Sequence, residues 1–261
     1  MATPGPRSPR RPHLSRGRIP QGADLSRPMN DSFHRFTANL RRDLAQPLPG
    51  PTAQFGMAPI PRPGGEMDSP PRPDARQSSV LILFYPYAGT VYFPLILRPT
   101  YPGVHSGQVG LPGGGREPQD GDLVATALRE AREEIGILPG AVEILGKLSP
   151  LYVRPSNNMV LPVVGCCERR PDFEIDPREV ALLIEAPLVE FLEPSNKHVE
   201  VWQLRDRVAD VPYFRVQQQV IWGATAMILG ELFALPAINQ LDILPEPPFD
   251  TDTDVRQVQG G

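Results

Sequence analysis

Glu130, Glu133 and Glu134 stand three and four residues apart in LVATALREAREEIGI, which places their carboxylates along one face of a helix. Leu123, Ala127, Leu128, Ala131 and Ile135 trace an apolar stripe on the other side, so the acids are expected to face outward or into a cleft. Three like charges this close destabilise an isolated helix. Hard divalent cations relieve that repulsion, and an all-oxygen donor set suits Mg²⁺ or Mn²⁺. The bland alternative is a solvated helical face paired with Arg129 and Arg132. The flanks weigh against it: Gly113–Gly115 and Asp120 precede the helix, and Gly136 follows the last acid by two residues. Loop glycines let a backbone approach a phosphate or a metal closely.

The elements that must position these acids can be read from periodicity. Residues 1–28 contain almost nothing to bury and read as a disordered tail. In DSFHRFTANLRRDL, Phe33, Phe36, Leu40 and Leu44 recur at helical spacing, with Asp31 or Ser32 as the cap. Residues 46–76 read as a proline- and glycine-rich linker or surface arm, which completes a leader segment over 29–76. SSVLILFYPYAG and TVYFPLILR form a hairpin around Ala88-Gly89. Tyr101 to Gly115 is a glycine-rich loop with one short apolar piece. After the acidic helix, stopped by Gly136 and Pro139, the runs VEILGKLSPLYV, MVLPVVGCCE, EVALLIEAPL and HVEVWQLR read as strands, the third passing into a helical turn near Val189. A last helix spans Val220 to Phe233. The fold class is therefore α/β (α+β), a mixed sheet between helices, with the main domain over 77–240 and a tail over 241–261.

Composition narrows the partners. The chain has 34 prolines in 261 residues, where a globular average predicts roughly 13; much of the surplus lies before residue 75. A net charge of −4 supports neither a nucleic-acid nor a membrane partner. Cys166 and Cys167 are adjacent, which strains a disulfide, and two thiolates fall short of a structural zinc site. They read as small apolar residues of a buried strand in a reduced, cytoplasmic protein. The stretch Val220–Ile238 contains Glu231 and Pro236 and reads as a buried helix rather than a membrane span. Residues 1–23 carry five arginines and no acid, as organellar transit segments do. Their prolines oppose the amphipathic helix such segments use, so a tail, or a start at Met29, is the expectation.

The segment GGGREPQDGDLVATALREAREEIGI resembles the Nudix box, G-x5-E-x7-R-E-U-x-E-E-x-G-U, in which U is a bulky aliphatic residue. Arg129–Ile137 matches its second half in register, with Ala131 smaller than the usual U residue. Gly115 falls on the box glycine. Gly121 falls where a glutamate belongs, and Asp120 stands one position away. Chains of the coenzyme A pyrophosphatase branch share that shifted aspartate and carry L-L-x-x-R-S followed by H-x-G-Q-V-x-F-P-G-G. Here the stretch reads LILRPTYPGVHSGQVGLPGG, with Arg98, His105, Gly107, Gln108, Pro112, Gly113 and Gly114 in matching places. Thr100 and Leu111 depart from the pattern. APLVEFL, VPYF and IWGATAMIL also fit, so the resemblance covers roughly 78–235.

The resemblance implies an α/β/α sandwich and water attack on a P–O–P bridge of a small-molecule nucleotide, coenzyme A or a thioester of it, with Mg²⁺ or Mn²⁺. It implies metal ligation by Glu130, Glu133 and Glu134, with Arg129 orienting a neighbouring glutamate. The general base is expected to be Glu133 or Glu130, with a carboxylate on a later loop as the alternative. Arg98, His105, Gln108, Gly113 and Gly114 are the expected substrate contacts. Arg98 could equally bond an acid of the box helix, His105 could be structural, and Trp222 reads as core. Homodimers are common among such enzymes. Two other classes compete: hydrolysis of ADP-ribose or NADH, and a non-catalytic nucleotide-binding module, which the retention of all three glutamates disfavours. A diphosphate isomerase would call for a cysteine in a pocket, a poor match to the adjacent pair.

Overall fold

The computed structural model describes residues 26–61, 70–100, 106–204 and 207–239. In chain order the elements are α1 (Ser26–Leu44), α2 (Gly50–Phe55), β1 (Arg76–Tyr87), β2 (Thr90–Leu97), β3 (Val109–Gly110), β4 (Gly113–Gly115), α3 (Leu123–Ile135), β5 (Glu143–Lys147), β6 (Leu151–Val153), β7 (Asn158–Cys166), β8 (Leu182–Pro187), α4 (Leu188–Leu192), β9 (Lys197–Gln203), β10 (Val208–Val216), β11 (Gln219–Trp222), α5 (Gly223–Phe233) and α6 (Pro236–Asn239).

Alternation along β1 sets the layering. Ile82 and Phe84 enter one apolar core with Phe36 and Leu40 of α1 and Leu229 and Leu232 of α5. Leu81, Leu83 and Tyr85 enter the other with Ala127, Ala131 and Ile135 of α3. A strand apolar on both faces must be covered on both, and the result is an α/β/α sandwich. Each fully buried Leu or Phe contributes roughly 1.5–3 kcal/mol, so the two cores fix α3 against the sheet before any polar contact is considered. The strand order is β3-β2-β1-β7-β5, with β1 and β7 parallel and the other pairings antiparallel. Besides β7, β1 serves two further partners: Tyr85–Tyr87 pair with β2, and Ser78–Val80 pair with β4. The pairing with β4 holds the glycine ribbon Gly113–Gly115 beside α3. No helix among the described residues is long and apolar enough to cross a membrane.

Several expectations need correction. The leader helix begins at Ser26 rather than at Asp31, so Asp31 and Ser32 lie inside it and cap nothing. Of the linker and arm readings of 46–76, its described residues fit an arm that carries a short helix: α2 packs on α5, and Ile60 bridges to Asp210. The loop before Gly115 contains β3 and β4, and VEILGKLSPLYV is two strands. Val220–Trp222 belongs to β11, and the last helix starts at Gly223. β9, β10 and β11 form a separate antiparallel sheet. Its β10–β11 hairpin turns at Gln217 and Gln218, both at positive φ (48° and 64°), where Asn or Gly is the usual signal. The expected hairpin at Ala88-Gly89 is present. Most of the expected terminal tails, and His105, lie outside the described residues.

A buried acid ties α2 to this frame. Glu231 of α5 is fully buried and accepts from Gly50 N (3.1 Å), Ser149 N (3.2 Å) and Gln54 Nε2 (2.8 Å). Glu231→Ala strands these donors and is expected to lower unfolding free energy by about 3 kcal/mol, with Glu231→Gln costing less because its amide oxygen still accepts. Urea denaturation measures both. A loss below about 1 kcal/mol for the alanine variant would show that the carboxylate does not hold α2.

Candidate active site

α3 is well specified locally. Asp122 caps it by accepting from Ala125 N (2.8 Å), and its interior is rich in strong helix formers. At its end Gly136 is left-handed (φ 76°), and Ile137 N bonds Ala131 O (3.3 Å), the wrap that closes many helices. A Cβ at position 136 would lie 2.8 Å from the Cβ of Glu174, so glycine is required there sterically as well.

Arg129 organises the exposed side of the helix. Its Nε donates to Asp120 Oδ1 (3.0 Å), its Nη1 to Glu133 Oε2 (2.7 Å), and its Nη2 to Glu130 Oε1 (3.0 Å) and Gly115 O (2.8 Å). Asp120 is buried and also accepts from Thr126 Oγ1 and Glu117 N, each at 2.9 Å. The hydrogen bond from Arg129 is the main reason its carboxyl is held down at about 2. Asp120 therefore fastens the arginine that fastens Glu130 and Glu133.

The innermost acid is Glu134, 1% exposed. Its Oε2 accepts from Gly113 N (2.7 Å), and its Oε1 lies 3.6 Å from Arg98 Nη1. Arg98 Nη2 also donates to Gly113 O (2.9 Å). Burial pushes the Glu134 carboxyl up to about 7, against the opposing pull of Arg98 and the Gly113 N–H. Burial raises Glu130 as well, with Arg129 opposing. Of the two expected placements, outward or into a cleft, Glu133 takes the first and Glu134 the second, because the glycine ribbon closes over it. A Cβ on Gly114 would sit 2.5 Å from Glu130 Cδ, so only glycine allows that approach.

A third carboxylate completes the cluster. Ligand oxygens of Glu130, Glu134 and Glu179 all lie within 4.8 Å of one another. Glu179 arrives because its segment is hydrogen-bonded to the end of α3: Glu174 N to Ile135 O (3.1 Å) and Asp176 N to Glu134 O (3.0 Å). Ala181 N bonds Leu97 O (2.8 Å) and ties the far end to β2. Sequence reasoning did not name Glu179. It allowed for a carboxylate on a later loop, but no local pattern marks this one. Glu133 lies outside the trio, half exposed and paired with Arg129. Three carboxylates, two of them raised by burial, form an oxygen-only donor set that fits a hard divalent cation.

Arg98, Gln108, Gly113 and Gly114 line one cavity of ≈ 230 Å³, with Thr225 of α5 on its wall. Trp222 packs edge-on to Trp202, centroids 5.6 Å apart. Cys166 and Cys167 are buried and unbridged, and burial pushes their thiols up to about 12 and about 11.

An acidic helix clamped to a glycine ribbon within an α/β/α sandwich presents a carboxylate cluster able to coordinate a divalent cation. Residues 75–213 match the NUDIX domain, and the chain belongs to the Nudix family. It is 40% identical over 128 residues to Uncharacterized Nudix hydrolase NudL of Photorhabdus laumondii subsp. laumondii, covering 49% of this chain and 68% of that one. It is 41% identical over 131 residues to Uncharacterized Nudix hydrolase NudL of Yersinia enterocolitica, covering 49% and 65%. Similarity also extends to the NUDIX domain of Shewanella oneidensis NrtR complexed with ADP ribose, at 22% identity, 47% and 79% coverage and a TM-score of 0.38.

A proton on Glu134 would compete with a cation bound at the cluster. In the metal-free fold this acid binds its proton more tightly than at its ordinary value of 4.5. The metal-free protein therefore loses stability as pH rises from 4.5 to about 7. Mn²⁺ affinity is expected to climb about tenfold per pH unit over the same window and then flatten. Titration calorimetry between pH 5 and 8 measures this; an affinity flat across the window would remove Glu134 from the metal site. Asp120→Ala frees Arg129 and is expected to weaken Mn²⁺ binding about 10- to 100-fold, and unchanged affinity would deny Asp120 that supporting role.

Proposed function

We propose that the protein hydrolyses the diphosphate linkage of coenzyme A or its thioesters, giving adenosine 3′,5′-bisphosphate and 4′-phosphopantetheine or its acyl form. The observation that carries this reading is the convergence of Glu130, Glu134 and Glu179 beside a glycine ribbon. The branch reading is supported by the cavity that Arg98, Gln108, Gly113 and Gly114 share next to those acids.

Mg²⁺ or Mn²⁺, when bound, neutralises diphosphate oxygens and acidifies the attacking water. Glu130 and Glu134 are the ligands from the helix, Glu133 flanks them, and Glu179 adds a carboxylate from the later loop. Arg129 holds Glu130 and Glu133 in place through two hydrogen bonds, which keeps the acids from splaying apart when no cation is bound. Arg98 locks Gly113 and Glu134 together, which fixes the ribbon against the helix. Gln108, Gly114 and His105 contact the substrate. Glu133, half exposed and oriented by Arg129, takes the water proton, with Glu179 as the alternative base.

Incubation with coenzyme A, ADP-ribose and NADH in Mg²⁺ or Mn²⁺, resolved by mass, tests the reading. Coenzyme A is expected to yield adenosine 3′,5′-bisphosphate, and a Glu133→Gln, Glu134→Gln variant to lose on the order of 10³-fold in rate. Preferential cleavage of ADP-ribose or NADH would overturn the coenzyme A assignment. No turnover of any of the three by metal-loaded protein would overturn the hydrolase assignment for these substrates.

A further inference from the structure

A second cavity lies on the other side of Gly115. It holds ≈ 640 Å³, and its walls include Arg76, Gln77, Arg116, Glu117 and Asn158. Gly115 and Asn158 line this cavity and the one beside Arg98, so the two meet there. Backbone pairing creates the arrangement. Arg116 N bonds Gln77 O (2.9 Å), extending the β1–β4 ladder by one step, and Arg76 is the neighbour of Gln77 at the start of β1.

Both arginines are exposed, and their hydrogen bonds go to carbonyls. Arg76 Nη2 donates to Ser156 O (3.1 Å); Arg116 Nη2 donates to Asp120 O (3.3 Å) and Gly121 O (3.5 Å). Neither forms an ion pair among the described residues. The acid on the cavity wall, Glu117, is engaged elsewhere: it lies 3.9 Å from Arg129 Nη1 and accepts from Gln119. Two guanidinium groups without a neutralising carboxylate suit a dianionic phosphate, which accepts their planar donors in pairs. The position is also specific. A Cβ on Gly114 would run into the Glu130 carboxylate, and Gly115 is the next residue, so this cleft begins one residue from the carboxylate cluster.

We propose that Arg76 and Arg116 form a phosphomonoester subsite that takes the 3′-phosphate on the nucleotide half of coenzyme A. The assignment rests on the coenzyme A reading above and supplies its selectivity, since ADP-ribose and NADH carry no such phosphate. With the diphosphate held at the carboxylates, the ribose spans the step at Gly115, and the remaining arm of the substrate is left to the Arg98 cavity.

The test compares kcat/KM for coenzyme A and dephospho-coenzyme A, which differ only in that phosphate. The wild type is expected to favour coenzyme A about 10- to 100-fold. Arg76→Gln and Arg116→Gln each lower the ratio, and the double variant brings it close to one. Equal turnover of the two substrates by the wild type overturns the proposal, as does an equal fall on both in the variants. If neither substrate is cleaved, the coenzyme A reading fails and calorimetry still decides the subsite. Tighter binding of adenosine 3′,5′-bisphosphate than of AMP to the Mn²⁺-loaded protein, lost in the double variant, upholds the subsite; equal binding of the two overturns it.

Discussion

Everything in the site depends on a carboxylate held in the interior. Glu134 is packed under β4, 2.7 Å from the Gly113 amide, and burying an acid without donors would be too costly to survive folding. The Gly113 N–H and Arg98 supply partial compensation. They can do so only because the ribbon approaches α3 closely, and the Ser78–Val80 half of β1 holds the ribbon there. The long β1, the glycine ribbon and the acidic helix are thus consequences of one requirement: an acid kept out of water yet within reach of a cation.

Environment also separates the roles of the acids. Asp120 and Glu134 are both buried, yet one is held at about 2 and the other pushed up to about 7. The difference follows from their partners. Asp120 accepts directly from the Arg129 guanidinium at 3.0 Å, whereas Glu134 has Arg98 only at 3.6 Å and a neutral amide. The first is a permanently charged strut. The second lacks part of its countercharge, which a divalent cation bound at the cluster would supply. Carboxylates pushed apart in this way are a common means by which one site separates structural from chemical work.

The chemistry-bearing helix was legible because its information is local. Offsets of three and four, an apolar stripe and a C-terminal glycine all act within one or two turns, and α3 forms where they point. The β1–β2 hairpin was legible for the same reason. Less visible were features set by contacts far along the chain. α2 is short and begins in Gly-Pro, so its helical signal is weak; it is held by Glu231, 177 residues from Gln54. The β10–β11 turn uses two glutamines at positive φ, against local preference. Which of the acids enters a cleft was not legible, because helical spacing shows a face but not what closes over it.

Glu179 illustrates the same limit at the level of function. DPREV contains nothing that distinguishes it from a solvated turn, and its residue is exposed. Two backbone hydrogen bonds from Glu174 and Asp176 to the last turn of α3 bring it to the cluster. The helix end that would otherwise carry unsatisfied carbonyls is thereby capped by the strand-leading segment that delivers the third acid. Satisfying the helix terminus and assembling the carboxylate cluster are one structural event, so the third acid needs no sequence signature of its own.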